Sequence, residues 1–377
     1  MVDNDNFFQS PQGAAIYKHG LLKNYIPAWA GKVGSTSTGR RVVVYDAYSG
    51  PGRYDNSEPG SPELLVDTAV SMAGLRSVFT VFSEKDRRYC TRLQQLMTEK
   101  GVDQSTYEIR EGPVENHLDD VLRLAKNLPL FVFLDPYGLT VSLDRVAHIM
   151  ASRLQPGWPV QQQPKTELLV NFSYEAVRRI SGALRSEKEY KAKQGQINAL
   201  NEALGGDWWQ PLAAEEQVGW VDQLLSGYAS RVSERAQCDY ITAQVADSLT
   251  ASPVYELILF TRHPDGLWKM MGAMSMARKA WRQRLVDQAV EAHGGQGELR
   301  GLDWDDNEFA WVEEIAANVR SLLATTPQFC VEEKLNEVLG RTLGLARETH
   351  IRKALKSLTE IQSVPTGSLQ KAQIARR

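Results

Sequence analysis

The stretch Arg41-Val42-Val43-Val44-Tyr45-Asp46-Ala47-Tyr48-Ser49-Gly50-Pro51-Gly52-Arg53 decides the fold. Its valine run after two arginines predicts a short strand buried on both faces, the kind found inside a parallel sheet. The strand closes on a carboxylate, Asp46, and a glycine-rich turn follows at once. Ser61-Pro62 then opens a helical run with proline at the first helical position. Strand, glycine turn and helix form the nucleotide-cradling corner of a doubly wound α/β domain.

Several ligands use such a corner, and the acid discriminates between them. A pyrophosphate wants free amides at a helix N-terminus and an acid on the next strand. Asp46 stands at the mouth of the first strand, where it repels phosphate and suits a cation. A dinucleotide fingerprint needs a third glycine where Asp55 stands, and no Gly-Lys-Ser/Thr completes a P-loop. S-adenosylmethionine, with its ammonium and sulfonium, is the cofactor this corner fits. An ordinary glycine-rich strand-to-helix turn is the other reading of the stretch taken alone.

Working outward, Val78 to Glu84 predicts a second strand ending in an acid, at a distance that fits one βαβ unit. The carboxylate closing that strand is expected on the ribose hydroxyls, which makes Glu84, followed by Lys85, the ribose ligand when paired with Asp46; taken alone, Glu84 reads as an exposed strand-end acid. Tyr107 to Glu111 predicts a third strand; Glu111 is placed near the adenine, and a plain strand end accounts for it equally well. Leu130-Phe131-Val132-Phe133-Leu134 predicts a fourth, doubly buried strand, capped by Asp135-Pro136-Tyr137-Gly138. With parallel strands, Asp46, Glu84, Glu111 and Asp135 all fall on the carboxyl rim, where such sheets bind ligands. Glu167 to Ser173, Tyr240 to Val245 and Val254 to Arg262 supply three more strands.

Before the first strand, Ala14 to Trp29 carries apolar residues at helical spacing, with Pro27 expected to end or kink the helix. Lys18, His19 and Lys23 are expected on its solvated face. The tryptophans of the helical insertion, Trp208, Trp209 and Trp220, are expected in packing roles, with flanking of a substrate base as the alternative, and the methionines Met270, Met271, Met274 and Met276 as core filler. Gly294-Gly295-Gln296-Gly297 marks a boundary, followed by an aromatic linker with Trp304 and Phe309. Three helical runs and a Pro-Thr-Gly turn then read as winged-helix-like. Arg347, His350, Arg352, Lys353 and Lys356 give the third run the basic face of a nucleic-acid-binding helix. A protein docking module is the alternative. The domains are therefore 1–40, a helical segment; 41–293, a Rossmann-like domain with a helical insertion at about 174–236; and 300–377, the winged-helix-like domain.

The 377 residues are 42% hydrophobic and 24% charged with a net charge of -3, ordinary globular composition that argues against a general nucleic-acid coat. Cys90, Cys238 and Cys330 are far apart and lack metal-ligand spacing, as expected of reduced thiols in a cytoplasmic protein. No apolar run reaches the roughly 18 residues a membrane span needs. The polar start, Asp3 to Asn6, is not a signal peptide.

At D-A-Y-S-G-P-G, G-S-P, V-F-S-E-K-D and F-L-D-P-Y-G, in that order, the chain resembles the three-Cys-motif partner protein family (TcmP). The stretches Lys18–Tyr25 and Leu259–Pro264 also look like that family. The resemblance implies a class I methyltransferase fold, with a mostly parallel seven-stranded sheet, and a radical-SAM-like protein as partner. Asp46, Ala47, Tyr48, Ser49, Gly50 and Gly52 would hold the methionine end of S-adenosylmethionine. Asp135-Pro136-Tyr137-Gly138 resembles the D-P-P-Y motif of amino-methyltransferases and the D-P-F-G of tRNA guanine-N2 methyltransferases. That implies DNA or RNA methylated on an exocyclic amine, with the base flipped out or single-stranded and no metal. Asp135 and the Pro136 carbonyl would accept the amine N–H groups while Tyr137 stacks on the base. Tyr137-Gly138 departs from the Pro-aromatic pattern of D-P-P-Y. An adaptor that binds its partner and nucleic acid without transferring methyl is the rival expectation.

Overall fold

In the computed structural model, Val42, Val43, Val44 and Tyr45 are all fully buried, as the valine run requires. The structure describes residues 13–292 and 304–377, apart from Tyr137, Leu139, Thr140, 160–161, 187–191, Glu216 and 249–250. The site residue Tyr137 and the boundary at Gly294–Gly297 therefore lie outside the described residues. The chain forms two units, one up to His263 and one from Pro264 onward.

The first unit contains α1 (Gly13–Val33), β1 (Arg41–Asp46), α2 (Ser61–Met72), β2 (Ser77–Glu84), α3 (Arg87–Glu99), β3 (Tyr107–Glu111) and α4 (Leu118–Leu124). It continues through β4 (Leu130–Leu134), α5 (Leu143–Ala151) and β5 (Thr166–Ser173). The inserted helices α6 (Tyr174–Arg185), α7 (Lys193–Leu204), α8 (Gln210–Glu215) and α9 (Trp220–Ala236) lead to β6 (Asp239–Val245) and β7 (Tyr255–Thr261). Among the described residues these strands make one seven-stranded sheet in the order β3-β2-β1-β4-β5-β7-β6. β1 to β5 are mutually parallel, and β7 runs antiparallel to both β5 and β6. That order, with β7 reversed, is the class I methyltransferase fold, a Rossmann-like α/β sheet.

Alternation along the strands sends side chains to two faces. Val43, Tyr45, Leu134, Val170 and Phe260 join the core cluster shared with α4, α5, α7 and α9. The other face packs against α1, where Tyr25 and Trp29 meet the Phe131 ring at 5.8 and 5.6 Å between centroids. Pro27 neither ends nor divides α1, which runs on to Val33. A helix-interior proline leaves the carbonyl four residues back without its donor. Here that residue is the exposed Lys23, and Tyr25, Ile26, Trp29 and Ala30 bury the helix around the gap.

Of the insertion tryptophans, Trp209 is buried with its indole N–H on Asn201 Oδ1 at 2.9 Å, and Trp208 stacks under Arg231 at 3.8 Å. They pack, as read.

The second unit contains α10 (Pro264–Ala292), α11 (Trp304–Thr325), β8 (Gln328–Cys330), α12 (Leu335–Leu339), α13 (Glu348–Ser357) and β9 (Gln373–Ala375). β8 and β9 pair antiparallel, and an isolated bridge joins Ile361 to Arg376. The linker expected around Trp304 and Phe309 is instead the first part of α11. Met270, Met271 and Met274 are buried as core filler, but Met276 is largely exposed. No described helix is long and apolar enough to cross a membrane.

Candidate active site

The carboxyl ends of β1, β2, β3 and β4 bring Asp46, Glu84, Glu111 and Asp135 to one rim. Register fixes this: Asp46 lies opposite Phe82 and Phe133, and Glu84 opposite Glu111. The four acids differ sharply in setting.

Asp46 is completely buried. Its Oδ1 accepts the Tyr48 amide at 3.3 Å, and the Ser61 side chain at the start of α2 also bonds the carboxylate. Its Oδ2 has no partner among the described residues. Burial pushes this carboxyl up to about 7, the nearby Asp135 adding to the effect while Ser61 and Lys18 oppose it. A buried carboxylate oxygen without a donor is costly unless a ligand supplies one.

The first amides of the glycine turn are already taken within the protein. The Ser49 amide donates to the Ser83 carbonyl at 3.1 Å and the Gly50 amide to Glu84 Oε2 at 2.9 Å. With the Tyr48 amide on Asp46, the consecutive amides of Tyr48, Ser49 and Gly50 are all engaged and form no anion-binding nest. Gly52 holds φ at +86°, and a Cβ there would stand 2.7 Å from Leu96 Cδ2. Ala47 is buried, its amide on the Phe133 carbonyl at 3.0 Å, and Tyr48 is half-buried against the core.

Glu84 is half-buried and anchored by Gly50 and by the Asp86 amide at 2.7 Å. A carboxylate offers about four lone-pair positions, so Glu84 keeps acceptor capacity for hydroxyls. Lys85 and Glu111 are exposed. Beside the ends of β3 and β4 lies a cavity of about 250 Å³, lined by Val114, Leu118, Leu134 and Val141, with Ser142 and Arg145.

Asp135 holds the largest departure from expectation. Lys18, placed on a solvated face by its charge, is 5% exposed and pairs with Asp135 Oδ2. Burial, the largest single influence, would lower the Lys18 pKa, but Asp135 together with Tyr255 and Tyr54 raises it above the ordinary value, so the ammonium persists. Its Nζ also lies 5.8 Å from the Tyr255 ring centroid. The neighbouring His19 is half-buried, and burial with the adjacent Lys18 charge drives it down to about 3. It is neutral at physiological pH. Asn171 on β5 donates its Nδ2–H to Asp135 Oδ1 at 2.6 Å. Pro136 is buried, and Gly138 takes φ +87° with open space around it.

Both newcomers left a trace in the sequence. Lys18 follows Ala14 and precedes Leu22 at four-residue spacing, inside the apolar stripe of α1. Asn171 interrupts the apolar run Leu168-Leu169-Val170 and Phe172 in the middle of its strand.

The basic helix α13 departs from its reading at two positions. His350 is 1% exposed: its Nδ1 accepts the Arg347 amide at 3.0 Å, Nε2 faces Glu308 Oε1 at 3.4 Å, and its ring meets Trp311 edge-on. Arg352 donates to the Pro365 and Gly367 carbonyls, both at 2.6 Å, and to Glu348. These two side chains hold their own unit together. Lys353 and Lys356 are exposed, with Lys353 near Glu308 at 3.3 Å, and Arg347 is half-buried.

No family model matches the chain, the three-Cys-motif partner family included, and neither does any curated protein. Solved structures align to it at low identity. A delta-N form of the METTL16 methyltransferase domain matches at 9% identity over 64% of this chain and 83% of that one, with a TM-score of 0.30. The small RNA methyltransferase HEN1 matches at 10% over 63% of this chain but 25% of its own, TM-score 0.34. An uncharacterized protein from Listeria monocytogenes serotype 4b matches at 10% over 87% of this chain and 97% of that one, TM-score 0.28. Likeness at this level says nothing about reaction or substrate.

Proposed function

We propose that the chain is an S-adenosylmethionine-dependent methyltransferase acting on an exocyclic amino group of a nucleobase in DNA or RNA. The observation that carries this is the pairing of Asp46, a fully buried carboxylate with an unpartnered oxygen, with a turn whose amides are engaged. That corner refuses phosphate and asks for a cationic donor group. The residues fit the cofactor. Asp46 Oδ2 would take its ammonium, with the Ala47–Gly52 turn around it. Glu84, followed by Lys85, would take the ribose hydroxyls, and the cavity bounded by Val114, Leu118 and Leu134 would take the adenine, with Glu111 proposed as a further adenine contact.

When bound, the cofactor supplies a methyl group on a sulfonium. An exocyclic amine has its lone pair delocalised into the ring. Asp135 and the Pro136 carbonyl accept its N–H groups, turn the nitrogen towards tetrahedral geometry and free the lone pair. Asp135, paired with the Lys18 ammonium, is an acceptor for this work. The base would have to be flipped or single-stranded to reach the rim, with Tyr137 stacking on it. Arg347, Lys353 and Lys356 of the proposed winged-helix unit would hold the backbone of a cytoplasmic nucleic acid.

Incubation with labelled S-adenosylmethionine and total nucleic acid, followed by nucleoside analysis, tests this. An N-methylated amino-nucleoside is expected. Label confined to protein, or absent, contradicts it.

One observation favours a second reading. Lys18 and Asn171 already engage both oxygens of Asp135, as in a fold kept for binding alone. On that reading the chain is an adaptor for a radical-SAM-like three-Cys-motif protein and nucleic acid. Its mark would be co-purification with that partner and no methyl incorporation.

A further inference from the structure

We infer that Asn171, in place of the Pro136 carbonyl, is the second acceptor for the substrate's amino group beside Asp135, and so selects a group carrying two N–H donors. The inference rests on the methyl-transfer reading and deepens it. The sheet places the two side chains together. β4 and β5 are in register at Leu134 and Val170, so the next residues, Asp135 and Asn171, emerge side by side. Leu134 and Val170 face the core cluster, which turns Asp135 and Asn171 to the opposite face, over which Lys18 of α1 reaches.

The amide orientation follows from chemistry. A carboxylate only accepts, so Asn171 must offer Nδ2 to Asp135, and does so at 2.6 Å. Its Oδ1 therefore faces away from Asp135. That oxygen is buried and has no partner among the described residues, and the whole residue is 8% exposed. Asp46 Oδ2 is a second buried acceptor at this rim without a partner among the described residues. Both open valences are acceptors, so the ligand that completes the face must bring donors. The constellation reaches solvent at Asp135, whose side chain is 19% exposed, so an amine entering there meets Asp135 and Asn171 together. A primary amino group supplies one N–H to each, whereas a hydroxyl has a single hydrogen to give.

The test is a comparison of binding, independent of turnover. Single-stranded oligonucleotides carrying adenine, cytosine or guanine are titrated against partners in which purine, pyrimidin-2-one or hypoxanthine replaces that base. Wild-type protein is expected to prefer one amino base over its deamino partner. In Asn171→Ala that preference should fall about tenfold, the worth of one such hydrogen bond, with S-adenosylmethionine affinity unchanged. Asn171→Ser serves the same comparison if the alanine variant does not fold. An unchanged preference in the variant, alongside a clear wild-type preference, overturns the role of Asn171 and leaves methyl transfer standing. A wild-type protein that binds the cofactor but ignores the amine in all three pairs overturns the amino-group target itself, and Asn171's role with it.

Discussion

Lys18 and Asp135 neutralise one another away from bulk water, so removing either strands the other's charge. Lys18→Met is expected to lower the unfolding free energy by about 3 kcal/mol, the low end for a broken buried pair because Asp135 keeps some contact with water. Adding Asp135→Ala removes the stranded carboxylate and should recover part of that loss in denaturant titration. No recovery would mean that the pair is not electrostatically coupled. The double variant is also the sound test of Asp135 in transfer, since Asp135→Ala alone would leave a buried ammonium unpaired. Cofactor binding should survive in it while methyl transfer disappears. At Asp46 the sign runs the other way from an ordinary salt-bridged acid. Its folded value, about 7, lies above the ordinary carboxylate value of 3.8, so the native state holds the proton more tightly between those values. Stability of the ligand-free protein from this group is present at low pH and is lost as pH rises towards 7. Thermal melts from pH 4 to 8 should show that slope in wild type and not in Asp46→Asn. Identical slopes would put Asp46 in contact with solvent.

At the level of elements, the glycine turn can be probed by two substitutions that share a backbone conformation. Gly52 and Gly138 have φ of +86° and +87°, so alanine costs about 1–2 kcal/mol at either in the left-handed region. Only at Gly52 would the new Cβ also press on Leu93 and Leu96 of α3, at 2.9 and 2.7 Å. Gly52→Ala should therefore melt lower than Gly138→Ala, and equal melting points would show that the turn is not packed against α3. The strands and these turns were legible because they depend on local signals: apolar runs, strand-end acids and glycines. The partners of those acids were not. Lys18 joins Asp135 across 117 positions of sequence, and nothing local distinguishes a lysine that snorkels to water from one that ends on a buried carboxylate. Its place in the apolar stripe was the available signal, and its charge masked it. His350 was misplaced for the same reason: helical spacing gave α13 a basic face, but burial depends on Trp311 and Glu308 of another helix. Pro27 failed as a stop signal because tertiary burial on both sides of it outweighs one missing hydrogen bond.

For the whole molecule, net charge of -3 says little, while the distribution of charge along one sheet edge says much. The first unit gathers Asp46, Glu84 and Asp135 where parallel strands end, and sets the buried Lys18 ammonium against them. An unfilled excess of acceptors there is what a methyl donor with two positive centres would match. The order β3-β2-β1-β4-β5-β7-β6 supplies the frame for that arrangement but does not by itself make an enzyme. The decisive measurement is calorimetric titration of S-adenosylmethionine into the full chain and into Asp46→Asn at pH 8. Saturable binding is expected for the wild type, weakened roughly ten- to a hundredfold in the variant by loss of a charge-assisted hydrogen bond. No binding by the wild type, or equal affinity in both proteins, would contradict a cationic cofactor seated on this rim.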